Sequence, residues 1–160
     1  MNYDPTKRYG VENNAIYNFS DKLKVNGNLN LIQAKFKNGD FKGNNIPLVS
    51  SWTAGGSVLW NIFEDKLTLS GTVNWWDRRY LENDERNIFE KIPATAITDL
   101  KLGGQLNFKT YGNTTWSAQI NNVFDESYYN YGIASATAAN VFNAYPLPGR
   151  TFLLTIGWNF

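Results

Sequence analysis

The sequence has no histidine and no cysteine among its 160 residues. Ser-His-Asp and Cys-His nucleophiles, HExxH zinc sites and thiolate metal sites are therefore excluded. No GxxxxGK[ST] phosphate loop occurs. The densest chemistry lies between residues 78 and 90, where Arg78, Arg79 and Arg86 alternate with Glu82, Asp84, Glu85 and Glu90. Such a set can bind a cation or a charged ligand, and it is equally the composition of a solvated loop. A second group is aromatic. Tyr128, Tyr129 and Tyr131 can stack on a siderophore or a sugar ring, and Trp76 can line a lumen. Packing within a loop or an interface girdle is the structural alternative. Both groups suggest binding rather than catalysis. No enzyme, no catalytic residue, no cofactor and no resident metal is expected.

The elements that carry these residues alternate. Leu23, Val25, Gly27, Leu29 and Leu31 share one face of a strand, with Lys24, Asn26, Asn28 and Asn30 on the other. Trp52, Ala54, Gly56, Val58, Trp60 and Ile62 form the next apolar face, and Leu67, Leu69, Gly71, Val73 and Trp75 the one after. Leu100, Leu102, Leu106 and Phe108 follow, then Trp116, Ala118 and Ile120, then Phe152, Leu154, Ile156, Trp158 and Phe160. A first strand with Val11, Ala15, Tyr17 and Phe19 is less regular, because Asn13 interrupts its apolar face and Ile16 falls on the polar one. A period of two over such lengths predicts about seven half-buried strands and no helix.

Mean hydropathy is −0.41, too polar for a helical membrane protein, yet there are 6 Trp, 9 Tyr and 10 Phe. A transmembrane barrel reconciles the two, because only alternate residues meet lipid and aromatics gather at the interfaces. Connections alternate in length. Short turns fall near Ser20–Lys22, Glu64–Lys66 and Lys109–Thr114, and long loops over Lys37–Ser50, Arg78–Ala94 and Glu126–Leu147. In bacterial barrels the short turns are periplasmic and the long loops extracellular.

Tyr17, Phe19, Trp60, Phe108, Trp116, Trp158 and Phe160 then lie near the short-turn ends, and Phe36, Trp52, Trp75 and Phe152 near the long-loop ends. Two aromatic belts around an aliphatic band suit a bilayer. A soluble β-sandwich also alternates, but its strands usually run ~5–6 residues. The polar faces, with Glu12, Lys24, Asp99 and Lys101, suit a water-filled or plugged lumen. The net charge of +1 leaves no footprint for nucleic acid.

Several segments resemble the C-terminal strands of TonB-dependent outer-membrane receptors. Asn121-Asn122-Val123-Phe124-Asp125 with Tyr128-Tyr129 is similar to the family's "NNLFD…YY" segment. Pro146, Pro148, Gly149 and Arg150, followed by Thr151-Phe152, resemble its "PxPGRTF" opening of the final strand, and the chain ends on an aromatic, Phe160. Gly10-Val11-Glu12, Ile46-Pro47-Leu48-Val49 and Ile97-Thr98-Asp99-Leu100-Lys101-Leu102 resemble three upstream family segments, with Ser50 where proline is usual. The likeness runs in register from Arg8 to Phe160.

The resemblance implies an all-β, antiparallel, up-and-down transmembrane β-barrel of about twenty-two strands around a plug. This chain, residues 1–160, would supply the last seven or so. It implies TonB-energised uptake of a large nutrient, with a ferric siderophore the commonest substrate, and location in the bacterial outer membrane. The implied partners are outer-membrane lipid, the rest of the barrel and its plug, TonB-ExbB-ExbD through a missing N-terminal part, and the barrel-assembly machinery reading Phe160. No signal-peptide core follows Met1, so a longer parent chain is expected. Loops centred near Gly39, Glu85 and Ala136 are the expected ligand contacts, with Arg78, Arg79, Glu85, Tyr128, Tyr129 and Tyr131 the candidate residues. A small stand-alone barrel or an adhesive β-protein binding through its loops is the alternative.

Overall fold

The computed structural model describes residues 4–63, 66–108, 112–135 and 141–159. The turn residues Glu64, Asp65 and Lys109, the loop centre Ala136 and the terminal Phe160 lie outside the described residues. Among the described residues no helix is long and apolar enough to cross a membrane. The regular elements are all strands: β1 (Thr6–Ser20), β2 (Leu23–Phe36), β3 (Trp52–Phe63), β4 (Leu67–Trp76), β5 (Thr95–Phe108), β6 (Gly112–Asn121), β7 (Gly132–Ala134), β8 (Phe142–Ala144) and β9 (Thr151–Asn159). Seven of them form one antiparallel sheet in the order β1-β2-β3-β4-β5-β6-β9. Each long strand pairs with its sequence neighbour, which is the up-and-down pattern that the alternation predicts. The three-residue strands β7 and β8 pair only with each other, inside the last long loop.

Register decides the faces. One row of directly opposed residues links Tyr17, Val25, Val58, Gly71, Leu100, Ile120 and Phe152. All seven belong to the apolar sets read from the sequence. A row on the other face links Ile16, Asn26, Ser57, Thr72 and Asp99. Among the described residues no second layer covers the apolar face. Phe152 is 73% exposed and Ile156 68%, which in a sandwich would be the buried core.

The rows slant across the wall. Tyr17 stands three residues before Ser20, the short-turn end of β1, whereas Phe152 stands one residue after Thr151, the long-loop end of β9. Six inter-strand steps at ~4.8 Å span ~29 Å. Strands tilted by ~40° convert that into a rise of ~18 Å. Along β9 itself, Phe152 and Trp158 are ~20 Å apart at ~3.4 Å per residue, or ~16 Å of height at the same tilt. The two estimates agree, so Tyr17 and Trp158 sit at one level and Phe152 at the other. The two aromatic belts thus follow from register and tilt together.

Local sequence fixes the details. The Ser20 hydroxyl accepts the N–H groups of Lys22 (3.2 Å) and Leu23 (3.1 Å) and closes the first short turn. A Cβ on Gly10 would collide with the carbonyl oxygen of Leu31, so β1 and β2 approach closely only with glycine there. The third turn is shorter than expected, because β6 already begins at Gly112.

Phe36 corrects one expectation. The outward set of β2 is odd-numbered, and Phe36 is opposite Thr6 on the other face. It is only 2% exposed and packs with Ala34, Ile46, Phe41 and Val49 under the first long loop. Among the described residues the small cores lie at the long-loop end, where the last residues of β2 meet the loops.

β1 and β9 are the open edges. Because the sheet has seven strands, an odd number, its first and last strands run in the same direction. Joining them would require a parallel junction. Leu100→Arg, in the middle of the apolar face, should cost the barrel ~2–4 kcal/mol in a bilayer, whereas Thr72→Arg on the polar face should cost under ~1 kcal/mol. Urea unfolding from lipid vesicles measures both.

Candidate functional site

The polar and charged candidates gather at the long-loop end, where three loops, 37–51, 77–94 and 122–150, lie between strands. The last loop is the longest and is tied at its base. Asn122, 3% exposed and at φ 51°, leaves the strand through the left-handed region that asparagine tolerates. Its N–H donates to Asp99 Oδ1 (2.8 Å), and the N–H of Val123 donates to the Thr98 carbonyl (2.8 Å). The Asn122 side-chain amide donates to the Glu126 carbonyl (2.9 Å) and accepts the Glu126 N–H (2.9 Å). It also reaches the Pro148 carbonyl at 3.5 Å.

Asp125, at φ 57°, accepts the Arg150 N–H at 2.7 Å. The Arg150 guanidinium donates to the Val123 carbonyl at 3.2 Å. Its ion pair with Asp125, at 3.9 Å, is exposed and contributes little by itself. A Cβ on Gly149 would lie 2.7 Å from Asp125 Oδ1, so glycine is what lets the carboxylate reach the backbone. Leu147 N–H to the Tyr128 carbonyl (3.0 Å) completes the clasp. The clasp is built from motif residues: Asn122, Asp125 and Arg150 by side chain, Pro148 by carbonyl, Gly149 by absence of one. Asn121 donates to Thr151 Oγ1 (3.1 Å) beside it. Phe124 is 70% exposed, and Pro146 is exposed without a direct part in the clasp.

The middle loop is folded around a buried carboxylate. Asp84, 1% exposed, accepts the N–H groups of Ile88 (2.9 Å) and Phe89 (3.2 Å). Asn83 and Asn87 supply left-handed turns at φ 64° and 58°. Asn87 then locks the first loop. Its Oδ1 accepts the Asn45 N–H (2.6 Å), and its Nδ2 donates to the Asn45 carbonyl (3.0 Å). Asn44 donates to the Glu85 carbonyl (2.8 Å). Ser50, standing where proline is usual, donates its hydroxyl to the Asp77 carbonyl (2.9 Å). The last loop joins through Glu82 N–H to the Gly132 carbonyl (2.8 Å) and Ala134 N–H to the Glu82 carbonyl (2.9 Å). Leu81, Ile92 and Ala134 form the shared core, with Leu48, Phe89 and Tyr129 against it.

The candidate ligand residues do not line one pocket. Arg79, 7% exposed, lies inside the loop cluster and donates to the carbonyls of Tyr129 (3.2 Å) and Asn130 (3.4 Å). Its Nη1 is buried without a partner. Burial lowers its pKa, yet a guanidinium stays protonated. Burial, and then Glu90, raise the Tyr129 phenol above its ordinary value, with Arg79 opposing. The phenol is therefore neutral at physiological pH.

Arg78 is exposed, whereas Glu85, Tyr128 and Tyr131 are half-buried. Tyr131 lies 6.2 Å from the Tyr145 ring and Tyr129 5.5 Å from Phe142. Among the described residues no three carboxylates converge as a metal site. Sequence reasoning missed the Asn45–Asn87 lock and the Asp84 turn. Asparagine and aspartate clustered at 83–87 were the available signal, since these residues favour turns through their own side chains.

A staggered single-layer sheet of long antiparallel strands, apolar on its exposed face and crowned by tied loops, is the architecture of a wall segment of an outer-membrane β-barrel. The fold is that of TonB-dependent outer-membrane receptors, proteins of the Gram-negative outer membrane. The ferric yersiniabactin uptake receptor FyuA from Yersinia pestis superposes with a TM-score of 0.74 at 26% identity, over 94% of this chain and 23% of that one. The siderophore receptor PiuA from Acinetobacter baumannii gives 0.76 at 17%, over 96% of this chain and 22% of that one. The copper transporter OprC gives 0.72 at 18%, over 97% and 24%. The chain thus spans about a quarter of these receptors' length. No protein-family model and no curated protein matches the sequence.

Two substitutions test the ties. Asn87→Ala should raise amide exchange at Asn45 by ~30-fold or more, since each lost bond to a buried group costs ~1–3 kcal/mol, while the β3–β4 ladder keeps its protection. Gly149→Ala should likewise deprotect the Arg150 amide. Hydrogen exchange read by mass spectrometry reports both.

Proposed function

We propose that this chain is the C-terminal wall and three outer loops of a TonB-dependent receptor that takes up a large, scarce nutrient, a ferric siderophore being the leading class. The observation that carries the reading is the sheared seven-strand wall. It matches nearly all of this chain to about a quarter of receptors such as FyuA and PiuA. FyuA takes up ferric yersiniabactin and PiuA is a siderophore receptor, whereas OprC transports copper. The substrate class therefore leans toward iron chelates by weight of neighbours and not by a site in this chain.

The reading assigns the long loops to the cell exterior, the polar face to a plugged lumen and the apolar face to lipid. Coupling to TonB-ExbB-ExbD would run through the plug and its N-terminal segment. Phe160 would serve the barrel-assembly machinery, and Arg78, Glu85 and the tyrosines 128 and 131 would be the outer-loop residues nearest an incoming ligand. Arg79 and Tyr129 would act by holding those loops in shape.

The stand-alone barrel is disfavoured by strand direction. Closure of β1 on β9, within one chain or between same-oriented copies, places parallel edges together. Open edges are not tolerated in lipid.

Uptake of radio-iron bound to a panel of catecholate, hydroxamate and mixed siderophores tests the function in cells. Deleting the parent gene should abolish uptake of one chelate, and deleting TonB should do the same. Uptake of every chelate surviving both deletions would sink the iron reading. The isolated 160-residue chain should show no liposome uptake at all, and a clear signal from it would overturn the view that it is only part of a wall.

A further inference from the structure

The apolar face of β1 and β2 changes character toward the long-loop end. Val11 pairs with Leu31, and Leu31 with Trp52; one step up Tyr9 faces Gln33, and the next step sets Lys7 directly opposite Lys35. Lys37 continues the column, its N–H bonded to the Pro5 carbonyl at 2.8 Å. The order is aliphatic, then aromatic and amide, then basic. Directly opposed residues have Cβ atoms about 5 Å apart, where like charges destabilise a strand pair.

Among the described residues no carboxylate pairs with Lys7, Lys35 or Lys37. Two acidic residues lie three positions away in sequence: Asp4, before Lys7, abuts Gly39 instead, and Asp40, after Lys37, forms no ion pair among the described residues. Lys7 holds its ammonium 5.2 Å from the centroid of the Tyr9 ring, so its stem runs along an aromatic surface and its charge stays at the outer face.

Height identifies the missing anion. Four residues from Leu31 to Lys35 cover ~13 Å of strand, or ~10 Å along the barrel axis at ~40° tilt. Trp52 and Trp75, stacked at 3.4 Å between centroids, mark the interface below, where indole rings anchor. The lysines therefore stand one headgroup layer above the belt, on the lipid side. A nutrient passing through the lumen would meet the opposite face.

We propose that Lys7, Lys35 and Lys37 dock the anionic, phosphate-bearing headgroup of a lipid in the surrounding outer leaflet. Charge complementarity selects an anionic headgroup, and the open, membrane-facing setting selects a lipid over a free ion. The inference rests on this wall lying in a bilayer, as proposed above.

Native mass spectrometry tests it on the full-length parent barrel, purified in uncharged detergent and doped with bis-phosphorylated lipid A or with phosphatidylcholine. Retained heat-modifiable migration on gels shows that each variant has formed a barrel, which separates failure of the membrane reading from failure of this one. The unaltered protein should retain a lipid A molecule and not phosphatidylcholine. Lys7→Gln/Lys35→Gln should weaken that retention about 30-fold, on the scale expected for two basic groups at a membrane surface. Lys101→Gln on the polar face should leave it unchanged. Lys7→Arg/Lys35→Arg should keep the lipid, which holds the test open if the glutamine variant fails to assemble. Equal retention by the glutamine variant, loss in the arginine variant, or displacement of the lipid by millimolar inorganic phosphate would each overturn the proposal.

Discussion

The constraint on which this structure depends is the absence of water beside the apolar face. A backbone N–H or C=O in hydrocarbon has no partner but another strand, and an unsatisfied one costs several kcal/mol. Long strands, pairing between sequence neighbours and near-unbroken registers of up to fourteen residue pairs follow from it. So does the tilt. A wall whose rows climb from Tyr17 to Phe152 keeps its strands paired while its aromatic side chains stay level with two interfaces. The same constraint makes the open edges of β1 and β9 the least self-sufficient parts of the chain.

Beyond the hydrocarbon the rules change, and the loops show it. There the backbone leaves the ladder, and side chains satisfy its polar groups. Asp84, Asn87, Asn122 and Asp125 all bond to main chain, and Arg79 does so through two carbonyls. Two small apolar cores sit beneath these bonds. The loop cluster is thus built to keep its shape without ligand. Charge near its surface, rather than buried charge such as Arg79, is what remains free to meet a solute.

Strand positions and faces were legible because a two-residue period has a physical reading that needs no tertiary knowledge. The motif residues at the base of the last loop were legible as a set, and their geometry shows why the set hangs together: Gly149 makes room for Asp125, and Asp125 caps Arg150. Phe36 departs from the belt that its aromatic character suggests, because parity puts it on the inner face, where a loop core takes it. The Asn45–Asn87 lock joins residues 42 apart in sequence, and no periodicity signals such a pairing. The strands β7 and β8, three residues each, are too short to carry an alternation.

The most direct measurement is a spin-label scan along Thr95–Phe108 of the proposed full-length barrel, with any cysteine outside this chain replaced, reconstituted in lipid. This chain has no cysteine, so each introduced label is unique within it. Collision with oxygen, which partitions into lipid, and with a water-soluble nickel chelate would be read at each position. A lipid-facing wall predicts two profiles of period two, out of phase, with oxygen maxima at Leu100, Leu102 and Leu106 and chelate maxima at Asp99, Lys101 and Gln105. Low accessibility to both probes at the three leucines would mean that a second protein layer covers this face, and the barrel-wall assignment would fall.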